Sequence, residues 1–218
     1  LLAHSLARTN KLDESIELFL ASIKSYPEIE DYIRFHLAEV FLNSGKTKEA
    51  LEQVNIMHKN FPNTLLLTKS NILLAKILEK DNKIQTALGV LGEAEKRISG
   101  FSMRSEYRSY LPEVIFLQGH LYQKFGKKNE AYDRYRLLHI AFPTNQLTHQ
   151  AKEEMIKLAK DMAINIKPLA LNEYERRTRA LLRDVEYQQI VSEISELLKY
   201  NTSLPANFYF YLSRAQKG

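Results

Sequence analysis

The feature that most constrains this chain is one pattern that recurs five times along it. The first copy runs from Leu2 through Asn10, Leu12, Ser15 and Phe19 to Pro27. The second has Leu37, Ala38, Phe41, Gly45, Ala50, Val54 and Pro62. A third has Leu74, Ala75, Leu78, Asn82, Ile84, Ala87, Leu91 and Ala94, with no closing proline. The fourth passes through Gly119, Tyr122, Gly126, Ala131, Tyr135 and Pro143, and a degenerate fifth has Ala180, Leu181, Val185, Tyr187, Ile190, Ile194 and Leu198. Apolar residues three and four apart form the stripe of a helix. Each copy therefore reads as two helices joined by a turn.

Each recurring residue type has a physical role. Small side chains at Ala38, Ala75 and Gly119, and at Ala50, Ala87 and Ala131, let two antiparallel helices approach closely. Gly45 and Gly126 can take the left-handed conformation that ends a helix and starts a turn. Pro27, Pro62 and Pro143 cannot continue a helix interior and mark the end of the second helix of a pair. The equivalent positions Ser15, Ala50, Ala87, Ala131 and Ile190 are spaced by 35, 37, 44 and 59 residues. The first two spacings resemble the 34-residue period of tetratricopeptide repeats. The expected fold is all-α, a right-handed superhelix of tetratricopeptide-like pairs.

The wider spacings predict insertions. A loop is expected at residues 99–106 (SGFSMRSE) and an additional helix at 147–166, with Pro168 opening the last block and a bend near 166–171. Residues 1–166 are thus read as about four pairs plus an extra helix, and residues 167–218 as their continuation. Leu1 falls inside a first helix, and Phe208, Phe210, Tyr211 and Leu212 have no partner helix after them. Neither end carries the polar capping repeat that such an array needs. The expectation is a superhelix incomplete at both ends, cut from a longer one.

Composition narrows the function classes. With 44% hydrophobic and 26% charged residues, the chain is an ordered protein rather than a disordered tail. No apolar run reaches the roughly 18 residues of a membrane span. The absence of cysteine excludes disulfides and thiolate metal sites. A net charge of +5 is mild and its acidic residues are interspersed, so nucleic acid is not an expected partner.

Motifs for chemistry are missing. No glycine-rich phosphate loop occurs; only Gly89 and Gly92 lie close together, and inside a helical repeat they read as close-packing positions. His4, His36, His58, His120, His139 and His149 contain neither an HExxH motif nor a closely spaced pair. No GxSxG elbow is present, and Glu153 and Glu154 sit in a solvated helical charge run. No catalytic residue, metal or cofactor is expected. Phe19, Phe41, Tyr122 and Tyr135 fall at interhelix packing positions, which leaves Phe101 and Tyr107–Tyr110 as the candidates for a sugar-stacking surface.

A binding surface is more readable than an active site. In arrays of helical pairs the first helix lines the inner wall, and two positions four residues apart face the groove. By the register above these are His4 and Arg8, Glu39 and Asn43, Lys76 and Lys80, His120 and Lys124, and Arg179 and Arg183. Eight of the ten are basic or histidine, with Glu39 and Asn43 breaking the run. This predicts a mildly basic groove for an anionic or carboxylate-bearing polymer or peptide, against the alternative that these are solvated faces of a lysine-rich protein.

Three segments carry a resemblance to a known family. YPEIEDYIRFHLAEVFLNSGKTKEAL (Tyr26 to Leu51), AFPTNQLTHQAKEEMIKLA (Ala141 to Ala159) and LNEYERRTRALLRDVEYQQIVSEISELL (Leu171 to Leu198) resemble, in that order, the helical amino-terminal region of soluble lytic murein transglycosylases. The resemblance implies a non-catalytic, periplasmic scaffold that positions a separate lysozyme-like domain and contacts peptidoglycan. The family's catalytic Glu-Ser is matched only by Glu14-Ser15, at the repeat's alanine position, and its Gly-Leu-Met-Gln segment is absent. A catalytic domain is therefore expected after residue 218, and no catalytic residue carries over. The second expectation is a tetratricopeptide-type scaffold that binds other proteins of the bacterial envelope, of the outer-membrane assembly or cell-division type.

Overall fold

The computed structural model describes residues 1–100, 109–201 and 203–217. Among the described residues there are twelve α-helices and no strand. They are α1 (Leu2–Arg8), α2 (Leu12–Ser25), α3 (Glu30–Asn43), α4 (Thr47–Asn60), α5 (Leu67–Lys80), α6 (Ile84–Gly100), α7 (Leu111–Lys124), α8 (Lys128–Ala141), α9 (Leu147–Asp161), α10 (Leu171–Arg183), α11 (Tyr187–Tyr200) and α12 (Ala206–Lys217). The chain divides into two compact units, Leu1–Leu117 and Gln118–Gly218. In the first, α1 and α2, α3 and α4, and α5 and α6 pack as hairpins, with α2 against α3 and α4 against α5. In the second, α8 packs on α9 and α10, while α10, α11 and α12 pack on one another. The insertion expected at 99–106 begins inside α6, and the rest of it lies outside the described residues.

Among the described residues, six helices end in the same turn. Asn10, Gly45, Asn82, Gly126, Ala163 and Val185 all have positive φ, between 52° and 77°. The Gly45 amide donates to the Leu42 carbonyl at 3.1 Å, and the Lys46 amide to Phe41 at 2.9 Å. This pair of bonds is the Schellman closure, which satisfies carbonyls that a helix end leaves open. It recurs at Asn10 and Lys11, Asn82 and Lys83, Gly126 and Lys127, Ala163 and Ile164, and Val185 and Glu186. Glycine and asparagine take this conformation readily. A β-branched side chain does not, so Val185 holds its turn at a cost of roughly 1–2 kcal/mol.

The second helix then starts in register with the turn. Carbonyls of Lys11, Lys46, Lys83, Lys127 and Glu186 accept the amides of Ser15, Ala50, Ala87, Ala131 and Ile190 at 3.0–3.2 Å. Those five side chains are at most 1% exposed. Twelve residues earlier, Ala3, Ala38, Ala75, Gly119 and Thr178 are buried as well. In the first hairpin a hydrogen bond replaces the alanine contact, from Ser15 Oγ to the Ala3 carbonyl at 2.7 Å. Around Ala131 the pairing is most extreme, because Tyr135 is 1% exposed and its ring fills the space over Gly119. A Cβ on Gly119 would lie 2.7 Å from that ring.

Gly89 and Gly92 correct the close-packing reading. A Cβ at either would meet nothing within 4 Å, so these glycines weaken α6 without admitting a neighbour. The additional helix is also shorter than 147–166. It stops at Asp161 because Ala163 turns left-handed and because Arg136 holds the chain that follows. The Arg136 guanidinium donates to the carbonyls of Lys167 and Pro168, at 2.7 and 2.9 Å, and to the Glu173 carboxylate at 2.7 Å. That guanidinium keeps the Glu173 carboxyl below its usual range. Phe19, Phe41 and Tyr135 are buried as packing residues, while Tyr122 is half-buried.

Two outcomes follow for stability. Gly119→Ala gains helix propensity of about 1 kcal/mol but overpacks the Tyr135 ring by about 1–3 kcal/mol. The net change is a loss on the order of 1 kcal/mol, whereas Gly89→Ala and Gly92→Ala each gain about 0.5–1 kcal/mol; urea unfolding of the three variants checks the opposite signs. The second outcome concerns pH. Burial, and next the Arg177 charge, lower the His139 imidazole to about 4. A histidine neutral in the fold and charged when unfolded contributes stability above about pH 6.5, and that stability is lost as pH falls toward 4. Unfolding free energy should drop over that window by about 1–2 kcal/mol with solvent screening included, and His139→Gln should flatten the drop.

Candidate functional site

The first unit brings the groove positions of its three hairpins together. An open cavity of about 400 Å³ is lined by His4 and Arg8 from α1, His36, Glu39 and Asn43 from α3, and Lys76 from α5, over apolar side chains that include Val40 and Leu73. A second cavity, of about 250 Å³, shares His36, Glu39, Leu73 and Lys76 with the first and adds Phe35, Lys69, Tyr110 and Glu113. The shared walls make one groove that crosses α1, α3 and α5. Its register is a direct result of the turns, since each groove residue named from the sequence stands one or five positions after the small residue of its helix.

The wall is mixed in charge rather than uniformly basic. Lys76 Nζ lies 2.7 Å from Glu113 Oε1, and His36 Nδ1 lies 2.7 Å from Glu39 Oε2. Lys69 sits over the Tyr110 ring, 5.5 Å from its centroid. Arg8 is exposed and makes no ion pair among the described residues. His4 packs edge-on against His36 at 4.3 Å and Phe19 at 5.1 Å, with Tyr32 at 5.9 Å. Burial and then the neighbouring His36 push the His4 imidazole below its ordinary value. The groove therefore offers one unpaired guanidinium, one side-chain amide and a histidine pair above an apolar floor.

The other expected positions lie elsewhere. Lys80 is exposed and lines neither cavity. His120 and Lys124 stand on α7 within the second unit, half-buried and exposed respectively. In the same unit Arg179 pairs with Glu175 and donates to the Tyr211 hydroxyl at 2.9 Å. Arg183 pairs with Asp184 at 3.0 Å. Of the stacking candidates, Tyr110 is half-buried beneath Lys69, and Phe101 and Tyr107 lie outside the described residues. His36 and Glu113 were missed by sequence reasoning. His36 stands three residues before Glu39, a spacing that places both on one helix face. Glu113 follows the inserted segment, where the repeat spacing gives no register.

Known proteins resemble this chain through structure only. No family model and no curated protein matches the sequence. Among solved structures, the chain is similar to a tetratricopeptide repeat protein from Parabacteroides merdae, with a TM-score of 0.55 at 13% identity over 98% of this chain and 82% of that one. It is similar to a thermophilic TPR protein of Thermus thermophilus, with a TM-score of 0.53 at 17% identity over 83% and 87% of the two chains. MamA AMB-1 gives a TM-score of 0.51 at 16% identity over 82% of each chain. At these identities the likeness establishes the fold, which is tetratricopeptide-like. The transglycosylase resemblance gains no support from these comparisons.

Arg8 and His36 separate groove surface from scaffold. Arg8→Ala removes an exposed side chain without an ion-pair partner and should shift unfolding free energy by less than about 0.5 kcal/mol. His36→Ala removes ring contacts to His4, Tyr32 and Phe35 and should cost about 1–2 kcal/mol. Thermal melts of both variants measure the difference.

Proposed function

We propose that this chain is a protein-interaction scaffold whose first unit holds an extended, acidic segment of a partner protein in the groove across α1, α3 and α5. One observation carries the proposal. Three hairpins in succession present equivalent positions to a single groove, in which Arg8 is an uncommitted guanidinium near the Asn43 amide. A guanidinium takes a carboxylate bidentately, and such charge-assisted bonds are the strong ones. The Asn43 amide both donates and accepts, as an extended backbone requires. Val40 and Leu73 supply the apolar contact below. A tetratricopeptide-like fold with no catalytic motif in its sequence fits a scaffold better than an enzyme core. A place in the bacterial envelope, with an envelope protein as partner, rests on the three sequence cues alone, as does contact with peptidoglycan.

Fluorescence anisotropy with labelled hexaglutamate tests the reading, with hexalysine as the control. Hexaglutamate should bind and hexalysine should not. Arg8→Glu should weaken hexaglutamate by about tenfold or more, the scale of one lost charge-assisted bond, while Arg179→Glu in the second unit should bind as the unaltered protein does. Equal losses in the two variants, with circular dichroism unchanged, would reject the groove as the binding surface.

A further inference from the structure

The groove holds two imidazoles in contact, and their placement bears on when it binds. His4 and His36 both line the cavity that contains Arg8 and Asn43, with ring centroids 4.3 Å apart. Histidine changes charge between about pH 5 and 8. We infer that the His4–His36 pair makes the groove a pH-dependent receptor, one that grips an acidic segment more tightly as the solution becomes mildly acidic. The inference rests on the scaffold reading above and adds its regulation.

Charge in the cavity gives the direction. With both imidazoles neutral, the Arg8 and Lys76 cations stand against the Glu39 carboxylate, which leaves one net positive charge. Protonating both histidines raises that to three, within the same 400 Å³. Lys76 is further offset by its bridge to Glu113, so at neutral pH Arg8 is the main attraction for an anion. The histidine pair is the part of the wall that can change this.

The groups around the pair act on its charge in both directions. Burial and the neighbouring His36 oppose charge on His4, as does Arg8 on α1. From α3, Glu39 favours it and Tyr32 approaches with its hydroxyl oxygen 3.4 Å from His4 Nε2. From α2, the uncharged ring of Phe19 packs against His4. Around His36 stand Glu39, Tyr32 and His4, with Lys69 and Lys76 from α5, Tyr110 just before α7 and Glu113 in its first turn on the shared cavity wall. Two cationic imidazoles in contact repel each other. A bound carboxylate between them and Arg8 removes that opposition, so proton uptake and acidic-ligand binding favour each other.

Anisotropy with labelled hexaglutamate at pH 7.5 and 5.5 tests the inference, because glutamate stays ionised over that range. The dissociation constant should fall roughly three- to tenfold at pH 5.5, the scale of one or two partly screened charges. The His4→Gln/His36→Gln protein should show a ratio near one, and His149→Gln, which alters an exposed imidazole with 85% of its side-chain surface free, should keep the full ratio. Nuclear magnetic resonance titration of the unaltered protein is the second measurement and needs no variant. The His4 and His36 ring signals should titrate at higher pH with hexaglutamate present. Equal affinity at the two pH values, a ratio retained in the double variant, or ring titrations unmoved by ligand would each overturn the switch while leaving the groove. No binding at either pH would overturn the scaffold reading and the switch together.

Discussion

Close approach of two helices at one small residue on each, set by a left-handed turn, is the interaction on which the rest of this structure depends. The turn fixes the distance along the chain from the small residue of the first helix to that of the second. Ala38 and Ala50, Ala75 and Ala87, and Gly119 and Ala131 obey the same interval as a result. With the backbones that close, dispersion and apolar burial act over the whole length of each hairpin. Gly119 shows how little slack there is, since its missing Cβ is replaced by the ring of Tyr135. Where the turn residue is unfavourable, as at Val185, packing around Leu181, Ile190 and Ile194 outweighs the local cost.

The groove of the first unit is a by-product of that geometry. A register that buries Ala3, Ala38 and Ala75 turns the next residue, and the one a turn later, outward on the same side of every first helix. Groove chemistry can then vary without disturbing the fold, because the side chains that carry it are not the ones that hold the helices together. His4, edge-on to Phe19 and Tyr32, is one exception, and His36 is another. It contacts Phe19, Phe35 and Tyr32 as well as the cavity, so packing and surface chemistry are joined at that residue.

In the second unit, ion pairs of two buried arginines work beside the apolar contacts. Arg177, buried within α10, binds the Glu193 carboxylate on α11 and the His139 carbonyl on α8. Arg136 fixes the non-helical chain before α10 through Lys167, Pro168 and Glu173. Such groups are costly to bury unless every donor finds an acceptor. Here the guanidinium forks reach backbone carbonyls and a carboxylate at once, which sets the position of the chain where the helical repeat is interrupted.

How much of this was legible in the residues depended on range. Helix pairs, turns at Asn10, Gly45, Asn82 and Gly126, and the buried small positions follow from local periodicity and backbone preference, which operate within a dozen residues. The groove register in the first unit was readable for the same reason, because each hairpin repeats the one before it. Turns at Ala163 and Val185 were not, since neither residue favours a left-handed backbone and only neighbouring packing imposes it. Nor was the neutralisation of Lys76 by Glu113 or the contact between His4 and His36. Those depend on side chains 37 and 32 positions apart meeting in space. Sequence by itself thus determined the helical hairpins and the residues that face outward from them. Tertiary structure alone decided which of those residues meet, because charge pairing and ring contact act through short distances in space and leave no periodic mark along the chain.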